Sequence, residues 1–171
     1  MVERWAGELP WVGTLFARSG QVVGEPDSCR RLLEADECVL VFPEGAKGIS
    51  KLWNERYQMK EFGLGFMRLA LETGTPVVPV AIVGHEEQAI SLVNLKGVAR
   101  LLGMPAFPVT LTGLPIPLPS KYHIEFGDPL TFDGDPNDED EVIEQKVSVV
   151  KRAMQRMIQA GLQRRGRRIF R

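Results

Sequence analysis

Seven consecutive apolar residues, Val77-Val78-Pro79-Val80-Ala81-Ile82-Val83, constrain the fold more than any other stretch of the chain. A run this short and this rich in β-branched side chains reads as a strand, and its continuous apolarity reads as coverage on both faces. Just upstream, Gly63–Thr73 carries apolar residues at positions 66, 67, 69, 70 and 71 and stops at Gly74, which predicts a helix with a glycine cap. Glu37–Phe42 (ECVLVF) is a second β-rich run, ending at a Pro-Glu-Gly break. Before it, Gln21–Val23 reads as a short strand, and Pro26-Asp27 opens a helix bearing Arg30, Arg31, Leu32 and Leu33. Tyr122–Phe126 reads as a further strand, closed by the turn Gly127-Asp128-Pro129. Strands alternating with helices predict an α/β fold with a mixed, largely parallel sheet flanked by helices.

The last helix is the plainest element. From Asp138 to about Gln163, apolar residues fall at 143, 147, 150, 154, 157 and 158, the spacing of one buried face. Acids at 138–141 occupy its first turn and Lys151, Arg152 and Arg156 lie further along, as the helix dipole favours. The formal net charge of −1 therefore hides a split: residues 133–144 hold seven acids and no base, and residues 145–171 nine bases and no acid. Five of those bases, Arg164, Arg165, Arg167, Arg168 and Arg171, lie beyond the expected helix end. They are candidates for contact with an anionic membrane surface, at about 1 kcal/mol each. A nucleic-acid partner is not expected, because the tail has no aromatic platform beyond Phe170 and no recognition motif.

A transmembrane helix needs about 20 apolar residues. The one uncharged stretch of that length, between Arg100 and Lys121, contains Pro105, Pro108, Pro115, Pro117 and Pro119 and cannot propagate a helix. It is expected to be an extended, turn-rich apolar loop or short strands. Cys29 and Cys38 match no metal or redox spacing and read as reduced thiols. The opening residues, with charges at 3, 4 and 8, are not expected to form a secretory signal.

Chemistry is concentrated in Val41-Phe42-Pro43-Glu44-Gly45-Ala46-Lys47-Gly48. A strand would deliver Glu44 to the carboxyl end of a sheet, the usual place for ligands in open α/β folds. Gly45 and Gly48 allow close backbone approach, and Lys47 adds a positive charge. This block, followed about thirty residues on by Val77-Val78-Pro79-Val80-Ala81 with a helix between, resembles the phospholipid and glycerol acyltransferase family over about residues 10–132.

The resemblance implies a glycerol-phosphate acyltransferase-like fold. It also implies transfer of a fatty acyl group from an acyl thioester (acyl-CoA or acyl carrier protein, as co-substrate) to a hydroxyl of a glycerolipid or related lipid acceptor in membrane lipid biosynthesis. Phe42, Pro43, Glu44, Gly45 and Lys47 would help bind the acceptor, and Val78 and Pro79 would shape its pocket or that of the acyl chain. No cofactor and no metal are implied, and the expected place is cytoplasmic, peripheral to the membrane face. Residues 1–132 would form part of the acyltransferase domain, 133–163 an acidic turn and helix packed on it, and 164–171 the basic tail.

Two departures stand out. The family's catalytic H-x-x-x-x-D dyad lies well upstream of the F-P-E-G block, whereas both histidines here, His85 and His123, follow it. The dyad is accordingly expected on a segment preceding Met1, the domain being N-terminally incomplete. His123-x-x-x-x-Asp128 matches the spacing, but in an extended strand residues five apart face opposite sides, so the match reads as coincidence. His85 follows the apolar strand and is a weak candidate base, the plainer reading being a loop histidine paired with Glu86 or Glu87. Secondly, Gly24 stands where relatives acting on phosphorylated acceptors carry an arginine, so either Lys47, Arg30 or Arg31 meets a phosphate or the acceptor is a neutral lipid. The alternative reading is a non-catalytic lipid- or acyl-binding homologue of this fold.

Overall fold

The computed structural model describes residues 18, 25–45, 48, 51–88, 90–95, 97, 108–110 and 118–166. Helix α1 (Pro26–Glu34) starts with proline, which needs no hydrogen-bond partner there, and carries Asp27 in its first turn. It ends in a Schellman motif: Asp36 takes a left-handed φ of 58°. The amides of Asp36 and Glu37 then donate to the carbonyls of Leu33 (3.1 Å) and Leu32 (2.9 Å). A short 3-10 turn, Trp53–Glu55, precedes helix α2 (Gly65–Thr73), which the expected glycine caps, Gly74 standing at φ 63°.

Beyond α2 come strand β1 (Val80–Val83), the short helix α3 (His85–Gln88), strands β2 (Ser91–Asn94), β3 (Pro108–Thr110) and β4 (His123–Phe126), and the long helix α4 (Asp140–Arg165). Strand β1 pairs antiparallel with β4, Val80 opposite Phe126 and Val83 opposite His123, and β2 pairs antiparallel with β3. The parallel sheet expected from the alternation is not shown: the ladders among the described residues are antiparallel. Glu37–Phe42, expected as a buried strand, enters none of them, and Leu40 and Phe42 are exposed.

The apolar run of residues 77–83 is also split. Val77 forms an isolated bridge with Leu130, and Pro79, lacking an N–H, breaks the ladder and accepts from the Gly127 amide (2.8 Å) through its carbonyl. Only one face of β1 is buried. Ala81 and Val83 turn inward, and a Cβ added at Gly161 of α4 would stand 2.9 Å from Val83 Cγ2, so glycine permits this approach. Val80 and Ile82 are half-buried.

The core joins α2 to α4. Met67, Ile143, Val147 and Val150 are buried together, with Phe62, Phe66, Leu71, Leu130, Phe132 and Met154 packed around them. The inward positions of α4 are those its periodicity predicts, and Arg68 of α2 pins the helix start by donating to Asp138 O (3.0 Å) and the Asp140 carboxylate (2.6 Å). No helix among the described residues is long and apolar enough to cross a membrane. Gln21–Val23, the loop at 101–107 and 111–117, and residues 167–171 lie outside the described residues.

Candidate active site

The Phe42–Gly45 segment is a tight turn in which the Gly45 amide donates to Phe42 O (3.0 Å) at φ 53°, a left-handed conformation that favours glycine. The Gly48 amide donates to Gly45 O (3.1 Å), while Pro43 O accepts from the Gly63 amide (2.9 Å). Glu44 folds back into this frame. Its Oε1 accepts from the Lys60 amide (2.7 Å) and its Oε2 pairs with Lys51 Nζ (2.8 Å). Gly48 makes room for that carboxylate, since a Cβ there would lie 2.9 Å from Glu44 Oε2.

Lys51 also reaches Glu86 Oε1 at 3.3 Å, so one ammonium joins the Pro-Glu-Gly turn to the turn that follows β1. The other oxygen of Glu86 accepts from the Tyr57 amide. His85 lies beside this carboxylate, its Nε2 at 3.8 Å from Glu86 Oε1. The same ring's Nδ1 is 2.9 Å from Ile82 O; that carbonyl can only accept, so it places the proton on Nδ1. The side chain is 49% exposed. With the proton on Nδ1, it is the Nε2 of the neutral tautomer that is unprotonated, the form a proton acceptor requires.

The adjacent Glu87 points the other way and is only 1% exposed. Its Oε2 accepts from Arg165 Nη1 (2.6 Å) and its Oε1 from the Tyr57 hydroxyl (3.1 Å). The Tyr57 oxygen in turn accepts from Arg165 Nη1 (3.2 Å) and from the Gly84 amide (2.8 Å). Burial pushes the Tyr57 phenol above its ordinary range, and Glu87 adds to this, against the opposing pull of the Gly84 amide and Arg165. Burial acts to lower Arg165, but bonds to Glu87 and Tyr57 outweigh it and hold the guanidinium above its ordinary value.

The residues expected at the site are therefore placed unevenly. Phe42 (62% exposed) and Val78 (44% exposed) offer apolar surface, whereas Pro79 is buried, and Gly127 has room there only because it is a glycine, a Cβ at that position standing 2.8 Å from Pro79 Cγ. Lys51 links the Phe42–Gly45 turn, through Glu44, to Glu86 of α3, the helix that follows β1. Lys47 lies outside the described residues, as does Gly24. Arg30 pairs with Asp27 and Glu72 (2.9 Å each). His123 stands in β4 opposite Val83, with Asp128 beyond the strand's end. Helix α4 runs through Arg164 and Arg165, two residues past its expected end: Arg164 pairs with Glu125 (3.0 Å), and Arg165 is turned inward. Arg167, Arg168 and Arg171 lie outside the described residues. Among the described residues no group of three or more His, Cys, Asp or Glu is placed to hold a metal.

The Pro-Glu-Gly turn is thus braced by its own glutamate and tied to the turn after an apolar strand. Residues 1–83 match the family model described as Acyltransferase, so that stretch of the chain is similar to the acyltransferase family. It is similar to an uncharacterized protein of Mycobacterium leprae (strain TN), 44% identical over 131 residues, covering 72% of this chain and 35% of the relative. Uncharacterized proteins of Mycobacterium bovis and Mycobacterium tuberculosis (strain H37Rv) are 40% identical over 131 residues, covering 72% of this chain and 36% of each relative. The chain thus spans about a third of the length of the curated relatives it matches. No solved structure matches.

Proposed function

We propose that the protein takes part in transfer of a fatty acyl group from an acyl thioester, acyl-CoA or acyl carrier protein, to a hydroxyl of a glycerolipid or related lipid acceptor in membrane lipid synthesis. The observation that carries this reading is the acyltransferase match over residues 1–83, which contains both the Phe42–Lys47 block and the Val77–Val80 block. In such a reaction a base takes the proton of the attacking hydroxyl, the oxygen attacks the thioester carbonyl, and the thiol leaves. Phe42, Gly45, Lys47 and Val78 would meet the acceptor or acyl chain, Glu44 would hold the turn that presents them, and Pro79 would shape the pocket wall. Lys47 would supply the positive charge for a phosphorylated acceptor. No cofactor or metal enters this scheme. The protein would work at the cytoplasmic membrane face, with Arg164, Arg167, Arg168 and Arg171 toward anionic lipid; Arg165 would hold the helix end from within.

The test supplies labelled palmitoyl-CoA, or palmitoyl-acyl carrier protein, with lysophosphatidate and diacylglycerol as acceptors. Acylated product with one acceptor at rates near ~1 s⁻¹ supports the reading. Thioester binding with no product from any pair favours the alternative, a non-catalytic acyl-binding role.

A further inference from the structure

Lys51 is the point at which the two halves of the candidate site meet. Its side chain is 12% exposed, and it lies between two carboxylates, Glu44 and Glu86, each 15% exposed, at 2.8 Å and 3.3 Å. Each carboxylate spends its second oxygen on a backbone amide of the intervening segment, Glu44 on Lys60 and Glu86 on Tyr57. One cation therefore fixes two anions, and the anions fix the path of residues 57–60. Without the ammonium, two like charges would face each other in a half-buried setting, where repulsion is weakly screened. The Pro-Glu-Gly turn would lose one of the two bonds that hold its glutamate folded back over Gly48, keeping the one from the Lys60 amide.

We propose that Lys51 is a positioning residue that, through Glu44 and Glu86, sets the pose in which the Phe42–Gly45 turn meets the acyl acceptor. The proposal rests on the acyl-transfer reading above, because it assigns the turn to acceptor binding. Lys51 does not itself touch substrate. Its effect falls on acceptor affinity rather than on the chemical step, and Arg, with the same charge and a comparable reach, substitutes in part.

The experiment measures acceptor KM and kcat with palmitoyl-CoA on the full protein carrying Lys51→Met, Lys51→Arg or Glu86→Gln, together with hydrogen exchange at the Lys60 amide. Lys51→Met is expected to raise acceptor KM about tenfold with kcat within about twofold and to speed Lys60 exchange about tenfold, the scale of one charge-assisted hydrogen bond. Lys51→Arg restores KM to within about threefold of wild type. A folded Lys51→Met protein with unchanged KM and unchanged Lys60 exchange overturns the proposal while leaving the acyl-transfer reading intact. Absence of transfer by the wild type with every acceptor overturns that reading, and the proposal with it. Should Lys51→Met fail to fold, Glu86→Gln carries the same expectation at about threefold, and an unchanged KM there overturns the proposal.

Discussion

Replacing Arg165 with Met keeps most of the side-chain length and removes only the guanidinium. The partner left behind, Glu87, is 1% exposed and would retain a single bond among those described, from the Tyr57 hydroxyl at 3.1 Å. Breaking a buried ion pair from one side costs about 3–5 kcal/mol, because the remaining charge is neither hydrated nor paired. For a chain of 171 residues that corresponds to a fall in Tm of roughly 6–20 °C, at about 2–4 °C per kcal/mol. The pair is not an ideal one, since Arg165 Nε is buried without a hydrogen-bond partner among the described residues. That detail lowers what the intact pair is worth, yet not the cost of stranding Glu87. The double variant Arg165→Met/Glu87→Met should therefore recover most of the loss. Urea unfolding followed by far-ultraviolet circular dichroism measures both, with Arg164→Met as control. Arg164, 67% exposed in its pair with Glu125, should contribute no more than about 1 kcal/mol. An Arg165→Met protein within about 1 kcal/mol of wild type, at unchanged m, refutes the reasoning.

The same cluster predicts a pH effect. Because burial raises the Tyr57 phenol, the folded state favours the neutral form; this stabilisation is complete below about pH 10 and is lost as pH rises through the higher folded value. Tyr57→Phe should cost about 1–3 kcal/mol at neutral pH and flatten the alkaline decline, and an unchanged alkaline limb in paired urea titrations would count against it. Gly84, at φ 108° and with Lys121 O 2.2 Å from the position a Cβ would take, should tolerate no side chain. Gly84→Ala is expected to cost at least about 3 kcal/mol, whereas Gly65→Ala, in open space at the start of α2, should be neutral or stabilise by up to about 1 kcal/mol. Burial pushes the Cys29 thiol up and hides it, while Cys38 is exposed. Iodoacetamide should label Cys38 in the native protein and Cys29 only after denaturation, and mass spectrometry of the two peptides decides it.

Helices α2 and α4 were legible in the sequence because their signals are local: apolar spacing in both, Gly74 at the end of α2, and acids in the first turn of α4. Strand partners were not, since seven apolar residues state that a strand is covered without stating by what or in which direction. Pro79 carried the clue that the run would break, its missing N–H removing a ladder bond. At the site, Glu44 could be singled out from its motif, but its partner Lys51, seven positions on, is chosen by the fold. Nothing in the residue type marks Tyr57, which stands at φ 60° and orders both glutamates. The inward turn of Arg165 did have a signal. The buried stripe of α4 through Ile158 and Gly161 continues, at helical spacing, to position 165, so the arginine there belongs to the inner face before it belongs to a basic tail.

This placement separates two kinds of function within one dipeptide. Glu86 and Glu87 are adjacent, yet α3 sends the first toward Lys51 and the Pro-Glu-Gly turn and the second toward Arg165 at the end of α4. At its other end α4 is tied to α2 through Arg68 and Asp140 (2.6 Å), with Met67, Ile143, Val147 and Val150 packed between the two helices. The turn after β1 is thus anchored to the core by Glu87 and handles the candidate site by Glu86. Stability and acceptor binding should respond to different charges: loss of Arg165 should lower the melting temperature, and loss of Lys51 should chiefly weaken the hold on the turn at Phe42–Gly45.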